Sequence, residues 1–175
     1  MRWMWIDRVL QLTPRTRCVT IKHVSLAEDH LHDHFPAENR ADAARPPMPI
    51  MPASLIVEGM AQTGGILVGH AGGFKEKVVL AKVGKVELSR EAIPGDTLRY
   101  TATMTLFDAA GASVSGTVEL LDPAKPGSAE QIGAIDLMFS HIDQNMSGIE
   151  FPSHNFVFSE SFRTLLRSSG IAAEF

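Results

Sequence analysis

Two side chains in this sequence are suited to acid–base chemistry, the imidazole of His34 and the carboxyl group of Glu58. His34 precedes Phe35 and Pro36, outside regular secondary structure, whereas Glu58 lies in the most apolar stretch of the chain. A carboxyl group there must be paired, hydrogen-bonded or protonated, because an isolated buried charge is very unfavourable. Gln62 follows Glu58 by one helical turn, so the two side chains can share a face and hydrogen-bond to each other. A polar patch in an apolar wall suits a long apolar substrate with one reactive carbon; a structural Glu58, satisfied by backbone or by a neighbouring subunit, is the open alternative.

Two weaker features lie close to this pair. The helix that begins at Ala53 has unpaired N–H groups in its first turn, which can bind an oxyanion or a thioester carbonyl, as any helix start can. His30, His32 and His34 alternate, and in an extended strand their rings would point to one face and form a zinc platform. We favour the alternative that His30 and His32 are exposed loop residues, because no further ligand cluster accompanies them.

These residues must be positioned by one long helix and a set of strands. A helix is predicted at 53–70, framed by Pro52 and by Gly72-Gly73, and its apolar residues cover nearly the whole circumference, as in a buried helix. Alternating or apolar segments separated by turn-forming residues predict strands. These strands are expected at 16–24, 78–88, 98–106, 114–120 and 131–139. The predicted class is α+β, one central helix against a mostly antiparallel sheet.

The remaining segments are less regular. Residues 29–36 are expected to be extended or loop-like, and 37–47 to form a polar surface excursion with a turn of helix at 38–44. The tail from 144 to 175 has little periodicity, apart from a short helix expected at 161–168.

Length and composition point to an ordinary globular protein. The chain has 175 residues, 45% hydrophobic and 21% charged, which suits a single domain spanning 1–175. A formal net charge of −4 argues against binding to nucleic acid. The single cysteine, Cys18, rules out an intrachain disulfide, and no apolar segment is long enough to span a bilayer or to act as a signal peptide. We therefore expect a cytoplasmic protein.

Three separated motifs resemble the β-hydroxyacyl-(acyl-carrier-protein) dehydratases of fatty-acid synthesis. The family motif H-F-P-G-x-P-x-(M/F)-P-G-V-L-x-x-E-x-x-A-Q is similar to His34-Phe35-Pro36 followed by PIMPASLIVEGMAQ at 49–62. The family's V-D-R-V-L opening is similar to IDRVL at 6–10, and its V-P-G-D-x-L turn to IPGDTL at 93–98. The resemblance covers about residues 5–140 in consistent order.

The resemblance implies a hot-dog fold, in which a bent antiparallel sheet wraps a long helix, and a homodimer or higher homo-oligomer whose sites lie between subunits. It implies that His34 removes a proton from C2 of a β-hydroxyacyl thioester and that Glu58 assists loss of the hydroxyl group as water. Gln62 would orient Glu58, the Ala53 N–H would bind the thioester carbonyl, and the Ile50 carbonyl would hold the imidazole. No metal or nucleotide cofactor is implied.

The resemblance also implies an acyl tunnel and a carrier. The tunnel is expected to be lined by apolar residues of the helix, namely Leu55, Met60, Ile66 and Leu67. The substrate would be carried by acyl carrier protein or coenzyme A. Five basic residues are candidates for contact with an acidic carrier, although a scattered solvated surface is the interpretation we favour. They are Lys75, Lys77, Lys85, Arg90 and Arg99.

The sequence departs from the family pattern in two ways. Ala37 and Ala53 replace glycines, and Glu58 follows His34 by 58 − 34 = 24 residues, ten more than in the family motif. The extra residues form an insert at about 37–48, which either loops outward as a lid or partner surface or moves His34 away from Glu58. A hot-dog thioesterase, with Glu58 activating water, and a non-catalytic acyl-binding or assembly subunit are therefore alternative functions.

Overall fold

The computed structural model describes residues 3–32, 34–40, 43–45, 47–142, 145–146, 149–150 and 155–172. The secondary-structure elements in these residues are, in chain order, β1 (Arg8–Thr13), β2 (Arg17–His23), α1 (Asp29–His32), β3 (Glu38–Arg40), β4 (Ala43–Arg45), α2 (Ala53–Ala71), β5 (Lys77–Leu88), β6 (Thr97–Phe107), β7 (Gly111–Leu121), β8 (Glu130–Ile142), β9 (Asn145–Met146), β10 (Ile149–Glu150) and α3 (Glu160–Ser168).

Six strands form one antiparallel sheet in the order β1-β2-β6-β7-β8-β5. Bulges interrupt the register in four of the five strand pairs, for example between Met104 and Leu106 and between Leu80 and Lys82. Because a bulge bends a strand and increases its twist, several bulges allow the sheet to curve around a helix. The strands at the two edges are β1 and β5.

Helix α2 packs against this sheet and is the centre of the core. It begins after Pro52 and ends before Gly72. The next residue, Gly73, has a φ of +64°. Residues on all sides of the helix are buried, as the all-round apolar pattern predicts. Gly59 allows a close approach to β6, because a Cβ atom there would lie 2.6 Å from Tyr100 Cζ. The predicted α+β class is confirmed, and the layout is that of a hot-dog fold.

The sequence patterns locate most of the main elements correctly. The helix predicted at 53–70 is α2, the strand predicted at 16–24 is β2, and the helix predicted at 161–168 is α3. The strands predicted at 78–88, 98–106, 114–120 and 131–139 correspond to β5, β6, β7 and β8.

Two local predictions are wrong, and one strand was not predicted. Residues 29–32, expected to be extended or loop-like, form α1, with Asp29 in its first turn, where a negative charge is favourable. The turn of helix expected at 38–44 is absent from the described residues of that segment, because β3 and β4 pair there as a hairpin. Strand β1 lacks a clear alternating pattern, since only Val9 is buried among its six residues.

The C-terminal segment returns to the body of the molecule. Leu165 and Leu166 of α3 are buried, and the Val9 N–H of β1 donates to Ser169 Oγ (3.0 Å). Within the described residues, no helix combines the length and the apolar character needed to cross a bilayer.

Candidate active site

The carboxylate of Glu58 is held by two hydrogen-bond donors on one oxygen. Trp3 Nε1 donates to Glu58 Oε1 at 3.1 Å, and Gln62 Nε2 donates to the same atom at 3.0 Å. The predicted pairing of Glu58 with Gln62 is therefore confirmed. The side chain of Glu58 is only half-buried, and both hydrogen bonds seen among the described residues are made to Oε1.

The amide of Gln62 is itself fixed by the N-terminal segment. Its Oε1 accepts from the Trp5 N–H (2.9 Å), and its Nε2 also donates to the Trp3 carbonyl (3.2 Å). Since the carbonyl end of the amide is occupied by Trp5, the NH2 end must face Glu58. The two N-terminal tryptophans thus help to orient the carboxylate, a role that sequence reasoning missed. The only local signal was their unusual spacing, Trp3-x-Trp5.

A cavity of about 220 Å³ lies beside Glu58. Its wall on α2 consists of Glu58, Ala61, Gln62 and Gly65, which follow the i, i+3, i+4, i+7 spacing of one helix face. The rest of the wall is mostly apolar and comes from other parts of the chain. These residues are Trp3, Val78, Leu80, Phe139, Val157, Phe158 and Phe162.

The four residues predicted to line an acyl tunnel do not border this cavity. Leu55, Met60, Ile66 and Leu67 are buried in the core, and none of them lines the cavity beside Glu58. Met60 faces β7, where a Cβ atom on Gly116 would lie 2.4 Å from its sulfur. The part of α2 that borders the cavity is the face that carries Glu58.

His34 lies in a bend after α1, with its ring against that of Phe35 at a centroid distance of 4.4 Å. Phe35 has a φ of +57°, an unfavourable conformation for a bulky residue that costs about 1–3 kcal/mol and often marks a functional site. His34 is not one of the described residues that line the cavity beside Glu58. Within one subunit, the structure therefore does not bring the predicted acid and base together in this cavity.

The insert between His34 and α2 forms a hairpin with a closed base. The Met48 N–H donates to the Phe35 carbonyl at 2.9 Å, so the two ends of the insert are adjacent, and β3 pairs with β4 between them. The chain after the insert therefore returns to the neighbourhood of Phe35, next to His34, before it reaches Pro52.

The start of α2 borders a second cavity, of about 550 Å³. Ile50, Met51, Ala53 and Ile56 line one part of it, and residues 88–91 line another. In the part of the chain that the structure describes, neither the Ala53 N–H nor the Ile50 carbonyl takes part in a hydrogen bond. Ala53 is exposed, whereas Ile50 is buried.

The histidines proposed as an alternative zinc platform do not lie on an extended strand. His30 and His32 belong to the helical turn α1, so the geometry assumed for that platform is wrong. The His30 ring packs edge-on against Trp5 at 5.0 Å, and its Nε2 is buried with no hydrogen-bond partner among the described residues. Burial is the largest effect on the pKa of His30 and lowers it below its ordinary value; Lys22 and His34 lower it further, whereas Glu28 and Asp29 raise it.

The basic residues considered for carrier contact are mostly engaged within the chain. Lys77 is buried and Lys75 is exposed. Each of the other three forms an ion pair with a carboxylate: Lys85 with Glu87, Arg90 with Glu130, and Arg99 with Glu119.

Comparison with known protein families supports the resemblance seen in the sequence. The model of the FabA-like domain matches residues 2–118, which include Trp3, His34, the whole of α2 and strands β5 and β6. The chain belongs to the FabA-like family.

Two curated proteins that are similar to this chain are dehydratases. The 3-hydroxyacyl-(acyl-carrier-protein) dehydratase FabZ of Roseobacter denitrificans is 34% identical over 99 residues, which are 55% of this chain and 59% of the relative. The FabZ of Symbiobacterium thermophilum is 37% identical over 103 residues, 58% of this chain and 66% of the relative. The chain thus spans less than two thirds of the length of these relatives.

Solved structures extend the likeness to the fold. An acyl-CoA hydrolase mutant from Staphylococcus aureus aligns over 89% of both chains with a TM-score of 0.55 and 18% identity. A thioesterase family protein from Silicibacter pomeroyi aligns over 77% of this chain and 83% of its own, with a TM-score of 0.58 and 12% identity. At such identities the likeness concerns the fold alone, and it supports the hot-dog fold of this FabA-like protein.

Proposed function

We propose that this protein dehydrates a β-hydroxyacyl thioester, carried by acyl carrier protein or coenzyme A, to the trans-2-enoyl thioester in a fatty-acid type of biosynthesis. The observation that carries the proposal is the carboxyl group of Glu58, fixed by Trp3 and Gln62 at the wall of a mostly apolar cavity. A single ionisable group held in this way suits a reaction at one carbon of an otherwise apolar chain. Family membership and the dehydratase relatives support the same reaction class.

In this proposal, the start of α2 binds the thioester. The Ala53 N–H donates to the thioester carbonyl and stabilises the negative charge that develops on its oxygen when C2 loses a proton. His34 is the base that accepts this proton, and the Ile50 carbonyl accepts a hydrogen bond from the imidazole and orients it.

Glu58 then acts as the acid. It donates its proton to the hydroxyl group on C3, the C3–O bond breaks, and water leaves as the C2–C3 double bond forms. Exchange of protons with solvent returns His34 to its neutral form and Glu58 to its protonated form. Gln62 orients the carboxyl group, so it is a positioning residue.

We further propose that the working unit is a homodimer, or a higher oligomer built from it, with each site shared between two subunits. Among the described residues, strand β5 is an edge of the sheet with no partner on its outer side, and it exposes Leu80, Val83 and Val86 by 40–43%. An edge strand with unpaired backbone groups and exposed apolar side chains can pair with another chain, and a second copy is the simplest partner. Because Leu80 also lines the cavity beside Glu58, a subunit on this edge would close over the carboxylate. It would supply the His34 that the cavity lacks within one subunit.

The test is to incubate the purified protein with β-hydroxyacyl-pantetheine thioesters and to identify the products by mass spectrometry. Loss of one water is expected, and His34→Ala and Glu58→Gln should each lower kcat by about 10²–10⁴-fold. His23→Ala is the matched control, because His23 is exposed and bonds to Thr97 on the sheet. Release of free thiol would instead identify a thioesterase, and binding without turnover would identify an acyl-binding subunit; either result overturns the proposal.

A further inference from the structure

The C-terminal segment borders the cavity beside Glu58, although it lies beyond the residues matched by the family model. Val157, Phe158 and Phe162 form part of the cavity wall. Phe158 is 2% exposed, and its ring packs edge-on against Phe74 at 4.9 Å and Phe162 at 5.9 Å. This wall of the cavity is therefore aromatic and densely packed.

The segment is anchored on both sides of these aromatic residues. Before them, Asn155 Nδ2 donates to the carbonyls of Phe74 and Glu76, both at 3.0 Å, in the connection that follows α2. After them, Ser169 accepts a hydrogen bond from Val9 at the edge of the sheet. The segment is thus attached to the turn at the end of α2 and to β1, and these contacts hold Phe158 and Phe162 in place.

The aromatic wall lies at the C-terminal end of α2. A Cβ atom on Gly69 would lie 2.3 Å from Phe158 Cζ, so the ring contacts the helix backbone at a position where only glycine leaves room. Along the helix axis, Gly69 lies roughly 16 Å beyond Glu58, and Ala53 lies roughly 7 Å before it, at 1.5 Å per residue. Ala53, Glu58 and the aromatic wall therefore follow one another in that order along α2.

We propose that Phe158 and Phe162 form the closed end of the acyl pocket and limit the length of the chain that this protein accepts. This inference rests on the proposed function, in which the thioester lies at Ala53 and the reacting carbons lie at Glu58. The remainder of the acyl chain then points along α2 towards the C-terminal segment and stops at the two rings. Phe158 and Phe162 are specificity-determining residues in this arrangement, because they contact the methyl end of the substrate and not its reacting atoms.

The volume of the cavity indicates the size of the chain. A cavity of about 150 Å³ accommodates benzene, so a cavity of about 220 Å³ has room for on the order of six to nine carbons. The substrate class is therefore a short to medium β-hydroxyacyl thioester, whereas a long-chain thioester would collide with Phe162 and Phe158.

The experiment compares kcat/KM of the full-length protein for β-hydroxyacyl-pantetheine thioesters of about four to about sixteen carbons. For the wild type, kcat/KM should fall at least about tenfold once the chain exceeds about twelve carbons, because C1 to C3 lie between Ala53 and Glu58 and the cavity has room for up to about nine more. Phe162→Ala should raise the ratio of long-chain to short-chain kcat/KM by at least about tenfold, since it opens the end of the pocket. Phe162 is the first choice because it is partly exposed, whereas Phe158 is buried. Phe162→Leu, a smaller change, should shift the profile in the same direction if Phe162→Ala does not fold.

Phe156→Ala is the matched control, because Phe156 belongs to the same segment and is 41% exposed but does not line this cavity. Its chain-length profile should match that of the wild type. If the wild type dehydrates the short thioesters and the Phe162 variants show the wild-type chain-length profile, the proposed length limit at Phe158 and Phe162 is refuted. The proposed dehydratase activity is then unaffected. If the wild type dehydrates none of them, the function is refuted. In that case, calorimetric binding of the same thioesters still tests the wall, since the Phe162 variants should bind long chains more tightly than the wild type.

Discussion

If each active site takes His34 from one subunit and Glu58 from the other, two inactive variants should restore activity to one another when they are mixed. The variants are His34→Ala and Glu58→Gln. The second is nearly isosteric, and its amide oxygen can still accept the hydrogen bonds that Trp3 and Gln62 donate to Glu58. It therefore removes the acidic proton with little change to the packing around the cavity.

The size of the recovery follows from two-fold symmetry. Random exchange of equal amounts yields mixed dimers as about half of the population. In a mixed dimer, one site contains both substitutions and the other contains neither. The mixture should therefore reach about one quarter of the wild-type kcat, whereas each variant alone should remain about 10²–10⁴-fold below the wild type.

The assay follows dehydration of a short β-hydroxyacyl-pantetheine thioester after the two variants have been refolded together, with different affinity tags to isolate the mixed dimers. The control is His34→Ala mixed with the double variant His34→Ala/Glu58→Gln, in which no site has a histidine and activity should stay low. If isolated mixed dimers are no more active than the parent variants, the shared site is refuted, and any catalysis by these residues must occur within one subunit.

Three further predictions concern stability and its dependence on pH. Gly59→Ala should destabilise the protein by about 1–3 kcal/mol in denaturant unfolding, because the new methyl group overlaps the Tyr100 ring; an unchanged unfolding midpoint would contradict this packing. Glu119→Gln should cost about 0.5–1 kcal/mol at neutral pH, since Arg99 binds the carboxylate with two hydrogen bonds but the pair is partly exposed. Arg99 lowers the pKa of Glu119, so this difference should disappear as the pH falls through that lowered pKa; a difference that persists in acid would exclude the ion pair as its cause. Burial lowers the pKa of His30 below 6.5, so the unfolded chain binds this proton more readily and stability should decrease as the pH falls below that value. His30→Phe should flatten that decrease in unfolding experiments between about pH 5 and 7, and an equal slope in both proteins would show that another group is responsible.

The sequence predicts those elements whose surroundings are uniform along their length. Helix α2 is buried on nearly every side, so its apolar pattern and its flanking proline and glycines were sufficient to locate it. The alternation of β6 was visible because one face of the sheet packs against α2, where Leu98, Tyr100 and Ala102 are buried. The pairing of Glu58 with Gln62 followed from the helical repeat alone.

Strand β1 and the separate hairpin of β3 and β4 could not be predicted in this way. Strand β1 is an edge strand with a bulge between Val9 and Gln11, and most of its side chains are exposed, so it has no regular alternation. The hairpin of β3 and β4 is polar, and its sequence is equally compatible with a turn of helix. A hydrogen bond from the Met48 N–H to the Phe35 carbonyl joins residues on either side of the hairpin.

The acidic half of the site shows most clearly why local patterns are insufficient. Trp3 reaches Glu58 across 55 residues of sequence, and Trp5 reaches Gln62 across 57. Neither contact follows the residue repeat of a helix or a strand, so no local sequence pattern reveals it. Both exist because the N-terminal segment runs beside α2. There the amide of Gln62 hydrogen-bonds to the Trp5 N–H and to the Trp3 carbonyl, and its NH2 group also donates to Glu58. The same hydrogen bonds that attach the N-terminal segment to the helix therefore also orient Glu58, so a substitution that detaches the segment should disturb the acid even where it leaves the fold intact.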